Sequence, residues 1–371
     1  MKLKDGIINF IKREVVLTVA IILTIITCLF VPIDKEYLNY FDYDTLICLF
    51  CMLAVVAGLK STNVFELISR KMIGLFHTRR AVIYSLVFGT FFFDMIVAND
   101  MSLITFLPLT YIVLHSTKND KYLAFTFIMQ TIAANMGGMI TPYGNPQNLY
   151  LYSYYNIPTT EFFSILLLQS ITVAVLLYIC CAFIKNEPLK LKENSKIELN
   201  KKELYIYASL FIIVILSIFR VIPHIITLLI VVITILIIDR KRFKDVDYAL
   251  IATFCVFFVF SGNIARIGTI KNFISQIVVK NTLIAGIVSC QFISNVPTAI
   301  FLSKFTTNYK ELLISVNIGS LGILISSLAS LITLKEFLKH QPKNFGKYLL
   351  MFTIFNTMFL GVLLIVTKIK V

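Results

Sequence analysis

The stretch Ala134-Asn135-Met136-Gly137-Gly138-Met139-Ile140-Thr141-Pro142-Tyr143-Gly144-Asn145-Pro146-Gln147-Asn148-Leu149-Tyr150 sits inside an otherwise apolar run. Glycine gives up backbone order and proline lacks an N–H, so a helix cannot continue through this combination. Within a bilayer, broken backbone persists only where protein or a water-filled cavity covers its freed polar groups. The stretch therefore predicts a binding site between two half-helices. A turn-rich loop outside the membrane is the plain alternative.

The surrounding chain favours the membrane. Of 371 residues, 58% are hydrophobic and 15% charged, with a mean hydropathy of +0.86, against about 45–50% and 25% in soluble domains. The formal charge of +14 does not point to nucleic acid, because the basic residues cluster between apolar runs as the positive-inside bias requires. Cys28, Cys48, Cys51, Cys180, Cys181, Cys255 and Cys290 lie within apolar runs at no metal-ligand spacing, so inert thiols are expected. The basic segment before Val15 lacks a small-residue cleavage site, and the first apolar run reads as a retained span.

Apolar runs predict nine spans, near 15–32, 44–59, 122–150, 161–184, 203–219, 223–238, 247–263, 311–333 and 348–367. Two more stretches, 81–115 and 281–305, are each split by a polar knot, Ala98-Asn99-Asp100 and Ser294-Asn295-Val296-Pro297. Of 34 lysines and arginines, 25 fall on the face that holds the N-terminus, 60–80, 116–121, 185–202, 239–247 and 335–347. That bias puts the N-terminus in the cytoplasm and the C-terminus outside. Both ends of 81–115 then lie inside and both ends of 281–305 outside. Arms of about 15–17 residues reach roughly 22–25 Å, short of a hydrocarbon core of about 30 Å. Two re-entrant hairpins entering from opposite faces are expected. An ordinary two-span hairpin would place Asn99 and Asp100 in water.

The halves then align. Residues 1–184 hold two spans, an amphipathic piece (61–77), hairpin 81–115, interrupted span 122–150 and a closing span. Residues 223–371 repeat that order, with amphipathic piece 264–280, hairpin 281–305 and interrupted span 311–333. Asn135-Met136-Gly137-Gly138 matches Asn317-Ile318-Gly319-Ser320. Residues 185–222 form a lysine-rich cytoplasmic linker and a linking helix. The fold class is an all-α polytopic membrane protein, an inverted repeat with two re-entrant hairpins and two discontinuous helices.

The chemistry is expected at the breaks. Half-helix N-termini suit anions, while freed carbonyls and helix C-termini suit Na⁺. Asn99, Asn295 and Ser294 supply side chains at the tips. Asn135, Thr141, Asn145, Asn317, Ser326 and Ser327 supply them beside the breaks. Gly137, Gly138, Gly144 and Gly319 with Pro142, Pro146 and Pro297 keep the backbone open. Asp100 is the coupling candidate for H⁺ or Na⁺, because an ionised carboxylate at the bilayer centre costs about 2.5–3.5 kcal/mol unless neutralised. Its structural alternative is an N-cap for an arm beginning at Met101. Asp94 is the second candidate.

Gln130, Gln169, Gln291 and Asn356 read as interhelical hydrogen bonds, His224 as interfacial, and Arg266 as part of a surface segment with Lys271. Tyr150, Tyr152, Tyr154 and Tyr155 read as an outer aromatic belt. There is no phosphate-binding loop for ATP and no nucleophile–base–acid set, so no cofactor and no enzyme activity are expected. Beyond a transported or coupling Na⁺, no metal is expected.

Phe91-Phe92-Phe93-Asp94-Met95-Ile96-Val97-Ala98-Asn99-Asp100, continuing to Pro108, resembles the first hairpin of the ion transporter superfamily. That group includes arsenite permeases, citrate transporters and divalent-anion/sodium symporters. Gly137 to Asn148, and Ser294-Asn295-Val296-Pro297 with Asn317 to Ser330, are most similar to uncharacterised bacterial anion permeases. The resemblance implies a homodimer of scaffold and transport domains in the inner membrane, working as an elevator. Where the symporter branch carries Ser-Asn-Thr at both tips, this chain has Ala98-Asn99-Asp100 and Ser294-Asn295-Val296. Together these readings predict a secondary transporter of a small anion or oxyanion, carboxylate or arsenite-like, coupled to H⁺ or Na⁺. The alternative is a Na⁺/H⁺ antiporter of the same fold.

Overall fold

The computed structural model describes residues 14–97, 99–189 and 199–370. The expected cytoplasmic N-terminal segment, Ala98 of the first knot and 190–198 of the expected linker lie outside the described residues.

Seventeen α-helices lie among the described residues. The first six are α1 (Val15–Cys28), α2 (Tyr43–Ser61), α3 (Val64–Gly74), α4 (Arg79–Asp94), α5 (Asn99–Ser116) and α6 (Leu123–Gly137). Next come α7 (Pro146–Tyr154), α8 (Thr159–Ala182), α9 (Lys201–Ile218), α10 (His224–Asp239), α11 (Tyr248–Arg266) and α12 (Gly268–Lys280). The last five are α13 (Thr282–Ile293), α14 (Asn295–Leu302), α15 (Tyr309–Ile318), α16 (Leu328–His340) and α17 (Phe345–Lys370). Side-chain oxygens begin several of them. Asp42 accepts from the Thr45 N–H, Asp247 from Leu250, Asn281 from Ile284 and Asn308 from Glu311, each satisfying one orphan donor of a first turn. Five helical stretches are individually long and apolar enough to cross a bilayer: Tyr43–Ser61, Asp120–Ile140, Thr159–Ala182, Tyr248–Arg266 and Pro342–Ile369.

Both interruptions are present, each for a local reason. After Gly137 a single 3₁₀ turn, Gly138–Ile140, leads into extended backbone at Thr141 and Asn145, and Pro146 opens α7 as its first residue. After Ile318 the chain turns through Gly322, whose φ of +120° excludes a side chain at low energy. Ser327 then caps α16 by accepting from the Ser330 N–H. The second knot bends at Ser294, a non-glycine residue at φ 71°.

Contacts run within and across the halves. The hairpin arm α4 packs on α6, and α13 packs on α15. The second arms cross over: α5 lies against α16, and α14 against α7. α1 packs on α11 while α10 packs on α2, with α9 also against α2. Gly137 faces the Phe91 backbone carbonyl and Gly286 the Ser315 hydroxyl, so a methyl at either would collide. Small residues thus let each arm approach its broken span.

Several expectations are corrected. α1 ends at Cys28 because the chain turns before Pro32, so the first span is 14 residues and not 18. The arm α14 has 8 residues, shorter than the expected 15–17, whereas α4 and α5 have 16 and 18. α16 runs on to His340, since its polar last turn, Lys335 to His340, is still helical beyond the apolar run. α5 starts at Asn99, so Asp100 lies in the first turn and is not its cap. Tyr150 and Tyr152 are fully buried and form no interfacial belt; Tyr150 Oη pairs with Ser303 Oγ at 2.7 Å. His224 opens α10, as expected of a residue at a span start, and lies 3.2 and 3.0 Å from Cys48 Sγ and Ser217 Oγ. Arg266 is bound to Asp34 at 2.6 Å and to the Tyr40 hydroxyl at 3.0 Å, so an ion-pair cluster and not the Lys271 segment explains it. Gln130 does bridge helices, to Thr90 and Thr110, and Gln169 bridges to Thr367.

Candidate functional site: a cleft where four helices begin

Asn99, Asp100, Pro146, Gln147, Asn295, Val296 and Leu328 line one cleft, closed on the remaining side by Leu250. Each of the first seven is a first- or second-position residue of α5, α7, α14 or α16. Four helices therefore point their N-termini at one spot. Each N-terminus carries about half a positive charge, although part of the first-turn N–H set is already taken, with Val296 donating to Asn295 Oδ1 at 2.9 Å and Ser330 to Ser327 Oγ at 3.2 Å. The cavity is about 10 Å³, near the least space that holds one water.

Three layers of hydrogen bonds support it. In the first, the knot between α4 and α5 is fastened to the first break. Asp94, fully buried, accepts from the Gly138 N–H at 2.6 Å and from Ser102 Oγ at 3.3 Å. Thr141 Oγ1 donates to the Met95 carbonyl at 3.1 Å. The break is itself braced, with Asn145 Nδ2 donating to the Asn135 carbonyl at 3.1 Å and Asn148 Nδ2 to the Met139 carbonyl at 3.0 Å. A Cβ on Gly138 would strike Asp94 Oδ2 and come within 2.8 Å of Asn145 Oδ1, so glycine is what lets three chain segments meet.

In the second layer, Gln291 fastens α13 to the other break. Its Nε2 donates to the carbonyls of Gly319 and Leu321 at 2.9 and 3.0 Å, and its Oε1 accepts from the Ile323 N–H at 3.0 Å. Ser294 Oγ donates to the Ser326 carbonyl at 3.4 Å, and Ser326 Oγ to the Ser320 carbonyl at 2.7 Å. The third layer joins the breaks to each other. Asn135 Nδ2 donates to Ser327 Oγ at 3.0 Å, Asn317 Nδ2 to Asn148 Oδ1 at 2.7 Å, and Gln147 Nε2 to Asn317 Oδ1 at 3.3 Å.

Of the residues expected to bind, Asn99, Asp100, Pro146 and Asn295 are on the cleft. Asn135, Gly138, Thr141, Asn145, Ser294, Asn317, Gly319, Ser326 and Ser327 stand behind it in the supporting layers. Gly137 packs on α4, Gly144 faces the Gly138 carbonyl, Pro142 lies buried in the first break, and Pro297 is a buried residue within α14. Gln147, Gln291 and Leu250 were not anticipated as site residues. The signal for Gln147 is its place directly after Pro146, as the second residue of a helix. Leu250 lies in the first turn of α11 and carries no local signal.

The buried oxygens with no hydrogen-bond partner among the described residues include four around this cleft, Asp100 Oδ1, Asn135 Oδ1, Asn145 Oδ1 and Gln147 Oε1, and others on residues that do not line it, such as Gln169 Oε1, Asn263 Oδ1 and Asn356 Oδ1. Buried oxygens are satisfied in nearly every native protein. Of the four, Asp100 Oδ1 and Gln147 Oε1 belong to residues that line the cleft. No set of three His, Cys, Asp or Glu side chains able to hold a metal occurs among the described residues.

Comparison with known proteins agrees with this architecture. The chain is 33% identical over 335 residues to an uncharacterized transporter of Methanocaldococcus jannaschii, covering 90% of this chain and 92% of the relative. It is 25% identical over 312 residues to the inner membrane protein YbiR of Escherichia coli, 82% of this chain and 83% of that protein. A shorter match, 27% over 157 residues, is to a transporter named arsB in Dictyostelium discoideum. The family profile described as citrate transporter matches residues 7–311, and with that span matched the chain belongs to the citrate transporter family, as a multi-pass membrane transporter and not an enzyme.

Proposed function

We propose that the protein is a secondary active transporter of a small anion or oxyanion, carboxylate or arsenite-like, coupled to H⁺ or Na⁺. The observation that carries this reading is the convergence of four helix N-termini, from α5, α7, α14 and α16, on one cleft. Partial positive charge and free N–H groups are what a small anion requires. Asp100 on the same cleft would repel that anion unless a proton or Na⁺ bound first, which is how coupling would arise. The orphan oxygens beside it give a cation acceptors to bind.

On this reading 1–184 and 223–371 are repeats inserted in opposite senses, with 185–222 as the link. The N-terminus lies in the cytoplasm, the C-terminus outside a cell inner membrane, and homodimers work as elevators. The same orphan oxygens also favour a second reading, Na⁺/H⁺ antiport with Asp100 as the shared site.

A thermal-shift screen of the purified protein against citrate, succinate, sulfate, arsenite, Na⁺ and Li⁺ tests this. A true ligand raises the midpoint in proportion to its excess over Kd. An anion that stabilises, more so with Na⁺ or at acid pH, is the expected result. Stabilisation by Na⁺ and Li⁺ alone, with currents on solid-supported membranes from Na⁺ and pH steps without any anion, would establish the antiporter instead.

A further inference from the structure

A cavity of about 270 Å³ opens between α3 and α5 at the end of α2, in the stretch 60–80 where basic residues cluster. α3 is too short to cross a bilayer: its 11 residues reach about 16 Å at 1.5 Å per residue, against a hydrocarbon core of about 30 Å. Phe65, Ser69 and Ile73, spaced four apart, are its buried face, while Ile68, and Leu75 and Phe76 just beyond its end, are exposed. Such a helix lies along the membrane surface with apolar side chains on both the protein and the lipid.

The two walls of the cavity differ in character. Lys60, Glu66 and Arg70 stand on one side, and α5 presents Ile104, Pro108 and Ile112 on the other. Arg70 Nη2 donates to Glu66 Oε1 at 2.6 Å, so those two charges cancel. Arg70 Nε is buried with no acceptor among the described residues. Lys60 is exposed in the last turn of α2 and has no ion pair among the described residues. One positive charge and one unused guanidinium N–H therefore remain. On the opposite wall, Ile104, Pro108 and Ile112 recur every fourth residue and form a single stripe along α5. The two isoleucines are 41% and 48% exposed.

We propose that this groove seats one anionic phospholipid, its phosphodiester on Lys60 and Arg70 and an acyl chain along the Ile104–Ile112 stripe. A phosphodiester carries one negative charge, which matches the single uncancelled cation, and guanidinium and ammonium groups are the usual phosphate partners. Basic pockets between helices at a membrane surface recognise lipid headgroups in this way. A free phosphate would use the cations and leave the aliphatic stripe in water, so the lipid fits both walls and the soluble ion only one. The proposal is independent of what the cleft transports.

Native mass spectrometry of the full-length, delipidated protein tests it, with equal amounts of phosphatidylglycerol and phosphatidylcholine of the same acyl chains. The first lipid retained should be phosphatidylglycerol by about fivefold, the equivalent of about 1 kcal/mol. Lys60→Gln, at an exposed position that leaves the fold intact, should abolish the preference, and Lys60→Arg should keep it. Lys347→Gln should also keep it; Lys347 lines a separate cavity with Lys121 and Asp120. Glycerol 3-phosphate in excess should not displace the lipid. Equal retention of the two lipids by the wild type would overturn the proposal. So would a preference unchanged in Lys60→Gln, which would mean general attraction to the basic face, or one lost in Lys347→Gln instead. Displacement by glycerol 3-phosphate would make this a site for a soluble phosphate and overturn the lipid assignment.

Discussion

Asp94 and Asp100 stand six residues apart in one knot, and their surroundings assign them different work. Asp94 satisfies the Gly138 N–H and the Ser102 hydroxyl, so its removal leaves a buried donor unmade, which costs about 1–3 kcal/mol. Asp100 Oδ1 has no partner among the described residues and faces the cleft. Asp94→Ala is therefore expected to lower the unfolding midpoint in detergent by that amount. Asp100→Asn, which breaks no hydrogen bond to Oδ1, should destabilise less than Asp94→Ala while proteoliposome uptake is lost. Full uptake by Asp100→Asn would remove the carboxylate from the coupling role. The sequence marked Asp100 as the sharper of the two from its place beside Asn99. That Asp94 is the bolt between the knot and the first break was illegible, because its partner lies 44 residues on.

At the scale of elements, the seam around Arg79 shows how the loops before α4, before α6 and after α8 are held together. Arg79 opens α4 and is almost fully buried. Its guanidinium donates to Glu187 at 2.9 Å and to Asn119 at 3.1 Å, while its backbone N–H donates to the Glu187 carbonyl at 2.8 Å. The hydrogen bond from Arg79 holds the Glu187 carboxyl below its ordinary value of 4.5. A carboxylate with a lowered folded value contributes stability above its unfolded value and loses it as pH falls through the folded one. Hydrogen-exchange protection at 77–79 and 185–189, corrected for intrinsic exchange, is expected to be flat from pH 7 to 5 and to fall below about pH 4.5. Arg79→Gln should remove that step. Glu187 is more than half exposed, so the effect is local loosening and not global unfolding. On the other side, Arg220, itself at φ 63°, donates to the carbonyls of Tyr152 and Ile157 at 2.7 and 3.2 Å and lies 4.3 Å over the Tyr152 ring. The link after α9 thus caps the C-terminal end of α7, where a cation meets the negative end of the helix. A charged residue in an otherwise apolar stretch gave no sign of that partner.

Across the whole molecule, the halves meet through amides. Asn135 of the first break donates to Ser327 of the second, 192 residues away, and Asn317 to Asn148 across the same boundary. A double-mutant cycle with Asn135→Ala and Ser327→Ala should show a coupling of about 0.5–1.5 kcal/mol in unfolding, the range for one buried hydrogen bond. Zero coupling would mean the halves fold around the cleft without this bridge. The crossed pairing of α5 with α16 and α14 with α7 has the same consequence. Neither half alone encloses the site, since Asn99, Asp100, Pro146 and Gln147 come from one and Leu250, Asn295, Val296 and Leu328 from the other.

By itself the sequence determined that the chain is a helical membrane protein, where its helices break and which knots split the two hairpin stretches. Those follow from local physics: apolar length, the missing N–H of proline, and glycine's freedom at Gly137, Gly138 and Gly319. Which polar atoms brace the cleft and which remain unpartnered was decided only by tertiary structure. So were the burial of Tyr150 and Tyr152, the pinning of Asp94 and the place of Leu250. A hydrogen-bond partner 28, 44 or 192 residues away leaves no periodicity in the chain, and only packing brings the two atoms to within 3 Å.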